Sequence, residues 1–332
     1  MTMGEHESDS SGAPSTSGGH KQTAPVDSVR EAAVEAVAPK VGTKRLCYYW
    51  TQGKCDQGWN ANHTDQHAHK YPELPVRPAD WRRVRPQPFD KYLILDLEGR
   101  VEILEFPVVL LDPKTLKVLD RFHRFVCPVK MSDEYITQYV KGKYGLMGIH
   151  RVWFDTAIPF TQVLDEFEVW LEGHGLWRPP TNESAQQTSG AENDGSTATS
   201  DKDQGPEAAN EAASTSGKLQ NAAFVTCGNW DIKTKIAEQC VSSEIGIPPY
   251  FNEWINIKDI YVNHYRRNAS GMRPMLRDLQ LPLWGTHHVG LDDAHNIARI
   301  MQRMLVQGAR FVISGQRLQN GEIKFLFRRR AK

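Results

Sequence analysis

Two acidic residues, Asp96 and Glu98, stand at the end of a short apolar run with the sequence YLILDL at residues 92–97. If this run forms a buried strand, side chains two positions apart share a face, and the two carboxylates lie roughly 7 Å apart. Like charges at that spacing repel. A hard divalent cation such as Mg²⁺ or Mn²⁺ removes the repulsion because it prefers carboxylate oxygens as ligands. Taken alone, such a pair is more typical of a solvated strand end.

A third carboxylate, Asp231, follows the apolar run AAFVTC at residues 222–227 and a short turn through Gly228 and Asn229. The residues after it have a helical pattern, so Asp231 stands where a strand turns into a helix. Asp is a favoured N-cap residue, and capping is therefore the alternative to metal binding.

A histidine and a further acid occur in the sequence HHVGLDDAHNIARI at residues 287–300. Two adjacent acids cannot both cap one helix, and Asp292 is the expected cap. This leaves Asp293 in the first turn, free to bind a ligand. His288 is a candidate general base because an imidazole with a pKa of about 6.5 can accept a proton near neutral pH.

A separate cluster of potential ligands lies in residues 47–69, which contain two cysteines and three histidines. Cys47, Cys55, His63 and either His67 or His69 have a spacing that can form a tetrahedral zinc site. The portion CYYWTQGKC resembles the start of CCCH RNA-binding zinc fingers but lacks their third cysteine. A loop with unrelated cysteines and histidines is the alternative. A unit this small has little core, so a structural Zn²⁺ would supply its folding energy.

Aromatic residues are interspersed in this segment: Tyr48, Tyr49, Trp50 and Trp59. They either stack on single-stranded bases or pack around the metal and the main domain. Arg77, Arg82, Arg83 and Arg85 follow in a Pro/Arg-rich stretch, and Arg328, Arg329, Arg330 and Lys332 end the sequence. These basic clusters are candidates for phosphate contact, with Arg82, Arg83 and Arg85 closest to the main domain; a solvated charge run is the alternative.

The elements that must position these residues follow from apolar periodicity. Strands are predicted at 92–97, 101–111, 118–127 and 223–227, and helices at 160–171, 231–239 and 292–306. Strands that alternate with helices in this way predict an α/β domain with a mixed sheet flanked by helices.

Composition divides the 332 residues into further regions. We predict a disordered tail at 1–45, a Cys/His zinc-finger-like segment at 46–70 and a Pro/Arg linker at 71–88. The main domain is predicted at 89–316, with an acidic low-complexity insertion at 181–217, and a C-terminal strand with a basic tail at 317–332.

Bulk properties narrow the class of protein. The formal net charge is zero, so attraction to a polyanion must be local. The five cysteines favour a reducing compartment. No apolar stretch approaches the roughly 20 residues of a membrane span, and a secretory signal is not evident. We expect a cytoplasmic or nuclear protein without a membrane partner; the oligomeric state is left open.

The order of the acidic and histidine residues resembles that of the DEDDh exonuclease superfamily. Four longer strings resemble its histone-mRNA 3′-end, or "enhanced RNAi", exoribonuclease branch: EILEFPVVLLD at 102–112, PFTQVL at 159–164, PPYFNEWINI at 248–257 and HVGLDDAHNIARI at 288–300. The resemblance covers residues 89–309 apart from the insertion. It implies a ribonuclease-H-like fold, with Asp96, Glu98, Asp231 and Asp293 holding two Mg²⁺ or Mn²⁺ ions and His288 as general base.

The resemblance also implies 3′→5′ trimming of RNA with a free 3′ end, such as a histone-mRNA stem-loop, rRNA or small RNA, and a ribosome or ribonucleoprotein as a partner. His287 is out of register with the family histidine. One departure is the short connection after Glu98, where Gly99 and Arg100 lead directly to Val101; it bears on contacts with the terminal nucleotide. A DNA 3′→5′ exonuclease and a non-catalytic RNA-binding adaptor are the alternatives.

Overall fold

The computed structural model describes residues 44–71, 78–146, 148–179 and 217–327. Outside these ranges lie almost all of the predicted tail at 1–45 and of the insertion at 181–217, as well as Arg77 and the basic residues at 328–332. All described residues belong to a single compact unit.

The bounds of the elements are as follows. The strands are β1 (Arg45–Leu46), β2 (His67–Ala68), β3 (Lys91–Leu95), β4 (Glu105–Asp112), β5 (Lys117–Cys127), β6 (Ile158–Pro159), β7 (Ala222–Thr226), β8 (Glu253–Asn256), β9 (Gly315–Arg317) and β10 (Ile323–Phe325). The α-helices are α1 (Ala61–Gln66), α2 (Pro78–Trp81), α3 (Asp133–Tyr144), α4 (His150–Thr156), α5 (Phe160–Gly173), α6 (Ala237–Ser242), α7 (Ile257–Tyr265), α8 (Met272–Asp278) and α9 (Gly290–Val306). A π-helical segment, Asp231–Ile236, leads into α6.

Strands β3 to β10 form one mixed sheet in the order β10-β9-β8-β7-β3-β4-β5-β6. Strand β3 lies near its centre, antiparallel to β4 and parallel to β7. Strand β8 is parallel to β7, and β9 and β10 extend the same edge in antiparallel fashion. The mixed α/β fold predicted from the sequence is confirmed.

Both faces of this sheet are covered by helices, as the four buried residues 92–95 of β3 require. Tyr92 and Ile94 point to a core that includes the apolar stripe of α9. Leu93 and Leu95 point to the opposite core, into which α5 inserts Phe167. Burial of each side chain of this size stabilises the fold by about 1.5–3 kcal/mol. The sheet is therefore a rigid support for the residues that follow the end of β3.

Several predicted elements have different ends. The strand at 92–97 ends at Leu95, so Asp96 and Glu98 lie beyond it. The strand at 101–111 begins only at Glu105 because the chain first turns back, with the Leu104 N–H donating to the Glu98 carbonyl oxygen at 2.7 Å. The predicted helix at 231–239 is a π-helical segment followed by α6.

The two ends of the connection between α5 and β7 are close in space. The Gln220 N–H donates a hydrogen bond to the Leu176 carbonyl oxygen at 2.8 Å, on either side of the predicted insertion. Among the described residues, no helix combines the length and apolar character needed to cross a bilayer.

Candidate active site

Three of the predicted carboxylates meet at one edge of the sheet. One oxygen atom each from Asp96, Glu98 and Asp293 lie within 4.8 Å of one another. Asp96 and Glu98 follow the carboxyl end of β3, and Asp293 lies in the first turn of α9. The structure thus brings together oxygen donors from distant parts of the sequence, the ligand type that Mg²⁺ and Mn²⁺ prefer.

A glycine allows α9 to approach these carboxylates. A Cβ atom on Gly290 would lie 2.7 Å from the Asp96 carbonyl oxygen and 3.0 Å from Pro107. Any side chain at this position would push the helix away from the strand end. Close packing between the start of α9 and the segment after β3 therefore depends on glycine at position 290.

Asp231 points toward the same segment from the other side. Its Oδ1 atom accepts a hydrogen bond from the Leu97 N–H at 3.0 Å, between the other two acids of the strand end. Asp231 is the first residue of its π-helical segment, and the N-cap residue is Trp230. The capping alternative for Asp231 is therefore wrong, because this side chain is directed across to the residue after Asp96.

His288 lies at the rim of the site in an unusual backbone conformation. Its φ angle is 71°, in the left-handed region that non-glycine residues seldom adopt. The His288 N–H donates to the Asp293 carboxylate at 2.8 Å, and the His287 Nδ1 lies 2.9 Å from the same carboxylate. Strained backbone of this kind costs about 1–3 kcal/mol and is often found at functional sites. Asp293 thus positions the loop that carries both histidines.

The prediction that Asp292 caps α9 is wrong. The N-cap residue is Val289, and it makes no side-chain cap. The Asp292 carboxylate instead accepts hydrogen bonds from the Thr286 N–H at 2.7 Å and the Tyr48 hydroxyl at 2.9 Å. The Tyr48 partner is 244 positions away, so local spacing carried no sign of it.

Burial strongly perturbs the acids of the site. Burial, followed by the charges of Asp231 and Glu98, holds the pKa of Asp96 well above its usual range. Burial also raises the pKa of Glu98 to about 8 and that of Asp231 to about 6, and raises the pKa of Asp293. Carboxylates that are costly to ionise together favour a bound cation, because its positive charge offsets both burial and mutual repulsion.

Two lysines near the site were not found by sequence reasoning. Lys143 in α3 places its Nζ atom 2.6 Å from a Glu98 carboxylate oxygen. Lys258, in the first turn of α7, lowers the pKa of Asp231 by its charge, against the larger effect of burial. An isolated lysine has no sequence signature, so only the fold shows that these two partly buried lysines lie near the acidic cluster.

A buried carboxylate behind the site, Glu105, was also missed. Its Oε1 atom accepts a hydrogen bond from the Leu291 N–H at 2.9 Å, and its Oε2 atom accepts one from the Tyr144 hydroxyl at 3.1 Å. His123 lies 3.2 Å away. Burial alone would raise the pKa of Glu105, but the adjacent His123 and the N–H groups of Leu291 and Gly290 hold this pKa below its usual value. An anion here is favourable because it faces the N-terminus of α9.

The Cys/His segment forms a second, separate cluster of ligand atoms. Cys47, Cys55, His63 and His69 each place one ligand atom within 4.8 Å of the others. The His63 Nε2 atom lies 3.5 Å from the Cys47 sulfur, 3.6 Å from the Cys55 sulfur and 3.2 Å from the His69 Nε2. A tetrahedron with the usual Zn–S and Zn–N bond lengths has edges of roughly 3.3–3.8 Å, so the donor set fits zinc.

Of the two alternatives for the fourth ligand, His69 lies in this cluster and His67 does not. The His67 ring stacks against the His63 ring, with centroids 4.5 Å apart. His67 lies in β2 and His69 follows the end of this strand, and only His69 places a ring nitrogen beside the cysteines, 3.5 Å from the Cys55 sulfur.

Most aromatic residues of the unit pack against the protein. Tyr48 is 9% exposed and is bonded to Asp292, and the Tyr49 hydroxyl donates to Asp155. Trp50 stacks on His69 with centroids 5.9 Å apart. These three residues therefore pack within the protein, as the second of the two alternatives predicted, and do not present free faces for base stacking. Trp59 is 82% exposed.

The arginines of the linker lie elsewhere. Arg82, Arg83 and Arg85 are exposed, and the Arg85 guanidinium lies next to Gly308, just beyond the C-terminal end of α9. Asp293 is at the other end of this helix, roughly 20 Å away by the helical rise. Phosphate contact by these arginines stays a prediction.

The proteins to which this chain is similar are exonucleases. No family model matches the chain. An uncharacterized exonuclease domain-containing protein of Arabidopsis thaliana is 47% identical over 290 residues, which are 86% of this chain and 76% of that protein. The human 3′-5′ exoribonuclease 1 is 30% identical over 247 residues, 71% of this chain and 58% of that protein. The chain belongs to the DEDDh 3′→5′ exonuclease family.

A solved structure supports the assignment of this DEDDh exonuclease to the histone-mRNA 3′-end branch. The structure, described as 3′-end specific recognition of histone mRNA stem-loop by 3′-exonuclease, matches with a TM-score of 0.53 and 27% identity. The match covers 72% of this chain and 71% of that one. The resemblance stated from the sequence is thereby confirmed, and a divalent metal cofactor is expected of the family fold.

Proposed function

We propose that this chain is a metal-dependent 3′→5′ exoribonuclease that releases nucleoside 5′-monophosphates from RNA with a free 3′ end. The observation that carries the proposal is the convergence of Asp96, Glu98 and Asp293 within one cluster, with Asp231 facing the same strand end and His288 at the rim. Membership of the DEDDh family supports it.

The donor chemistry fits two Mg²⁺ or Mn²⁺ ions held by Asp96, Glu98, Asp231 and Asp293. Such a pair of ions activates water and stabilises the attacking and leaving oxygens of a phosphodiester. Cys47, Cys55, His63 and His69 fit a structural Zn²⁺, which would fix the small Cys/His unit rather than take part in hydrolysis.

The protein side chains orient the reaction and move its proton. His288 accepts the proton of the attacking water, whose oxygen forms a bond to the terminal phosphorus as the bond to the 3′ oxygen breaks. Asp293 holds the histidine loop through the His288 N–H and the His287 ring. Lys143 is close enough to the site to contact the phosphate of the terminal nucleotide.

The test is to compare RNA and DNA oligonucleotides of one sequence in the presence and absence of Mg²⁺, with separation of the products by chromatography. We expect Mg²⁺-dependent release of nucleoside 5′-monophosphates from the 3′ end of RNA. An RNA ending in a 3′-phosphate is the matched control and should resist cleavage. Preferential cleavage of DNA would favour a DNA exonuclease, and binding of RNA without release of monophosphates would favour a non-catalytic adaptor.

A further inference from the structure

A groove of about 1090 Å³ separates the Cys/His unit from the exonuclease core. One wall comes from residues 44–49 and 54–57 of the unit, and the other comes from the connection between α3 and α4 and from residues 283–286. Thr286 and Asp292, both in the lining of the groove, directly precede His287 and Asp293 in the chain. The groove therefore leads from the Cys/His unit to the rim of the candidate active site.

The groove carries an excess of positive charge, although the whole chain has a net charge of zero. The exposed carboxylates in its lining are Asp56 and Asp155. The cations in its lining are Lys44, Arg45, Lys54, Lys70 and Arg151. Such a local concentration of positive charge is the electrostatic feature that attracts a phosphate backbone.

Two of these cations are free to bind a ligand. Arg45 and Lys70 are exposed, at opposite ends of the β1–β2 pair. Within the part of the chain that the structure describes, neither of them forms an ion pair or a side-chain hydrogen bond. Arg151 is 84% exposed, although it lies 3.7 Å from Asp155.

The end of the groove nearest the active site has an apolar rim. Leu146 is 96% exposed and Leu283 is 41% exposed, and both line the groove. The adjacent Trp284 is held in place by Asn296, which accepts a hydrogen bond from the Trp284 N–H at 3.0 Å. Apolar and aromatic side chains beside a cationic track are the combination found in proteins that bind single-stranded nucleic acid.

We propose that this groove binds the single-stranded RNA immediately upstream of the terminal nucleotide. Its phosphates contact Arg45, Lys70 and Arg151, and its bases contact the apolar rim of Leu146 and Leu283 and the adjacent Trp284. The Cys/His unit thus contributes one wall of a substrate track, beyond its own fold. The inference rests on the proposed exoribonuclease function, because a chain cleaved from the 3′ end needs a path out of the active site.

The test measures binding of a fluorescein-labelled 12-nucleotide oligouridylate over a range of salt concentrations, in the non-cleaving Asp96→Asn background. The double variant Arg45→Ala/Lys70→Ala should bind more weakly. The slope of log K against log salt should fall by about 1.4, since each contact with a single strand contributes roughly 0.7. The matched control is Lys114→Ala/Lys117→Ala, which removes two exposed cations where β4 connects to β5, at the end of these strands opposite to the one that carries Asp96.

A second measurement separates this inference from the proposed function. With Asp96 intact, hydrolysis of the p-nitrophenyl ester of uridine 5′-monophosphate should be the same in the groove variant and the wild type, because this substrate has no upstream strand. KM for the 12-nucleotide RNA should rise in the groove variant. An unchanged salt slope and KM would overturn the groove proposal, whereas a wild type inactive on both substrates would overturn the proposed function itself.

Discussion

The Cys/His unit and the carboxylate site are both clusters of potential metal ligands, but they are held in place by different means. The Cys/His ligands lie within 22 positions of one another, between strands of only two residues. The carboxylates come from the end of β3, the start of α9 and the π-helical segment, all supported by the two buried cores. We expect the Cys/His cluster to need a bound metal in order to fold, whereas the carboxylate cluster is already assembled by the fold.

Because of this difference, we expect loss of a ligand to affect function in one cluster and folding in the other. In the carboxylate site, the framework already holds acids where ionisation is costly: burial, and then the charges of Glu105 and Asp293, raise the pKa of Glu98. Removing one charge there should relieve repulsion and destroy function. In the Cys/His unit, removing one ligand should remove the principal source of order.

The largest effect is expected from Asp231→Asn. Asparagine keeps an oxygen that can accept the Leu97 N–H but loses the charge needed to hold a cation. We expect a fall in kcat on the order of 10²–10³ or more, with no loss of thermal stability. Asp231→Ala is the control, since it should lose both activity and the hydrogen bond. A fully active Asp231→Asn protein would contradict the assignment of the site.

Substitutions of His288 also test the carboxylate site. Both His288→Ala and His288→Gly should reduce kcat by about 10²–10⁴, because both remove the proposed base. The glycine variant should unfold at a higher temperature than the alanine variant, since glycine adopts a φ of 71° without strain. Activity and thermal melts of the two proteins, measured side by side, test the role and the strain separately. Equal melting temperatures would argue against a strained loop.

The substitution Cys55→Ser tests whether the Cys/His unit depends on a bound metal. Elemental analysis should find one Zn²⁺ per wild-type chain and none in the variant, with increased protease cleavage in residues 46–70. Cys127→Ser, at a cysteine outside the ligand cluster, is the matched control and should keep its zinc. If the Cys55→Ser protein retains zinc and resists protease as the wild type does, the unit is not held by a metal.

The smallest effect is expected from the hydrogen bond that connects the Cys/His unit to the carboxylate site. Tyr48→Phe removes the hydroxyl that bonds to the buried Asp292, next to Asp293, and should cost about 1–3 kcal/mol of stability. It should also lower kcat several-fold without loss of zinc. The control is Tyr49→Phe, whose hydroxyl bonds to the exposed Asp155. Identical behaviour of the two variants would show that the regions are independent.

The sequence predicted the parts of the fold that have strong apolar periodicity. Strand β5 and helix α5 begin within a residue of their predicted starts. Helix α3 was not predicted because only Ile136, Val140 and Tyr144 are buried among its polar residues. Strand β9, of three residues, is too short to show a period, whereas β10 lies within the region predicted to hold a C-terminal strand. Such elements are specified by the neighbours they pack against.

The same distinction applies to the site. Asp96, Glu98, Asp231, His288 and Asp293 were singled out because chemically suited residues lie at the ends of predictable elements. Glu105 escaped notice because nothing local distinguishes a buried carboxylate in a strand from an edge residue. The role of Asp292 could not be inferred from local capping rules, since its partner Tyr48 belongs to another region of the chain.

The hydrogen bond between Gln220 and Leu176 has a practical consequence for engineering. Because the sheet and α5 already hold these two residues together, the residues between them do not have to span a distance. An approximately eightfold shorter glycine–serine connection would reduce the entropy of loop closure by about 2 kcal/mol. The same junction is a suitable point at which to insert a fluorescent reporter or an affinity tag without altering the strand order.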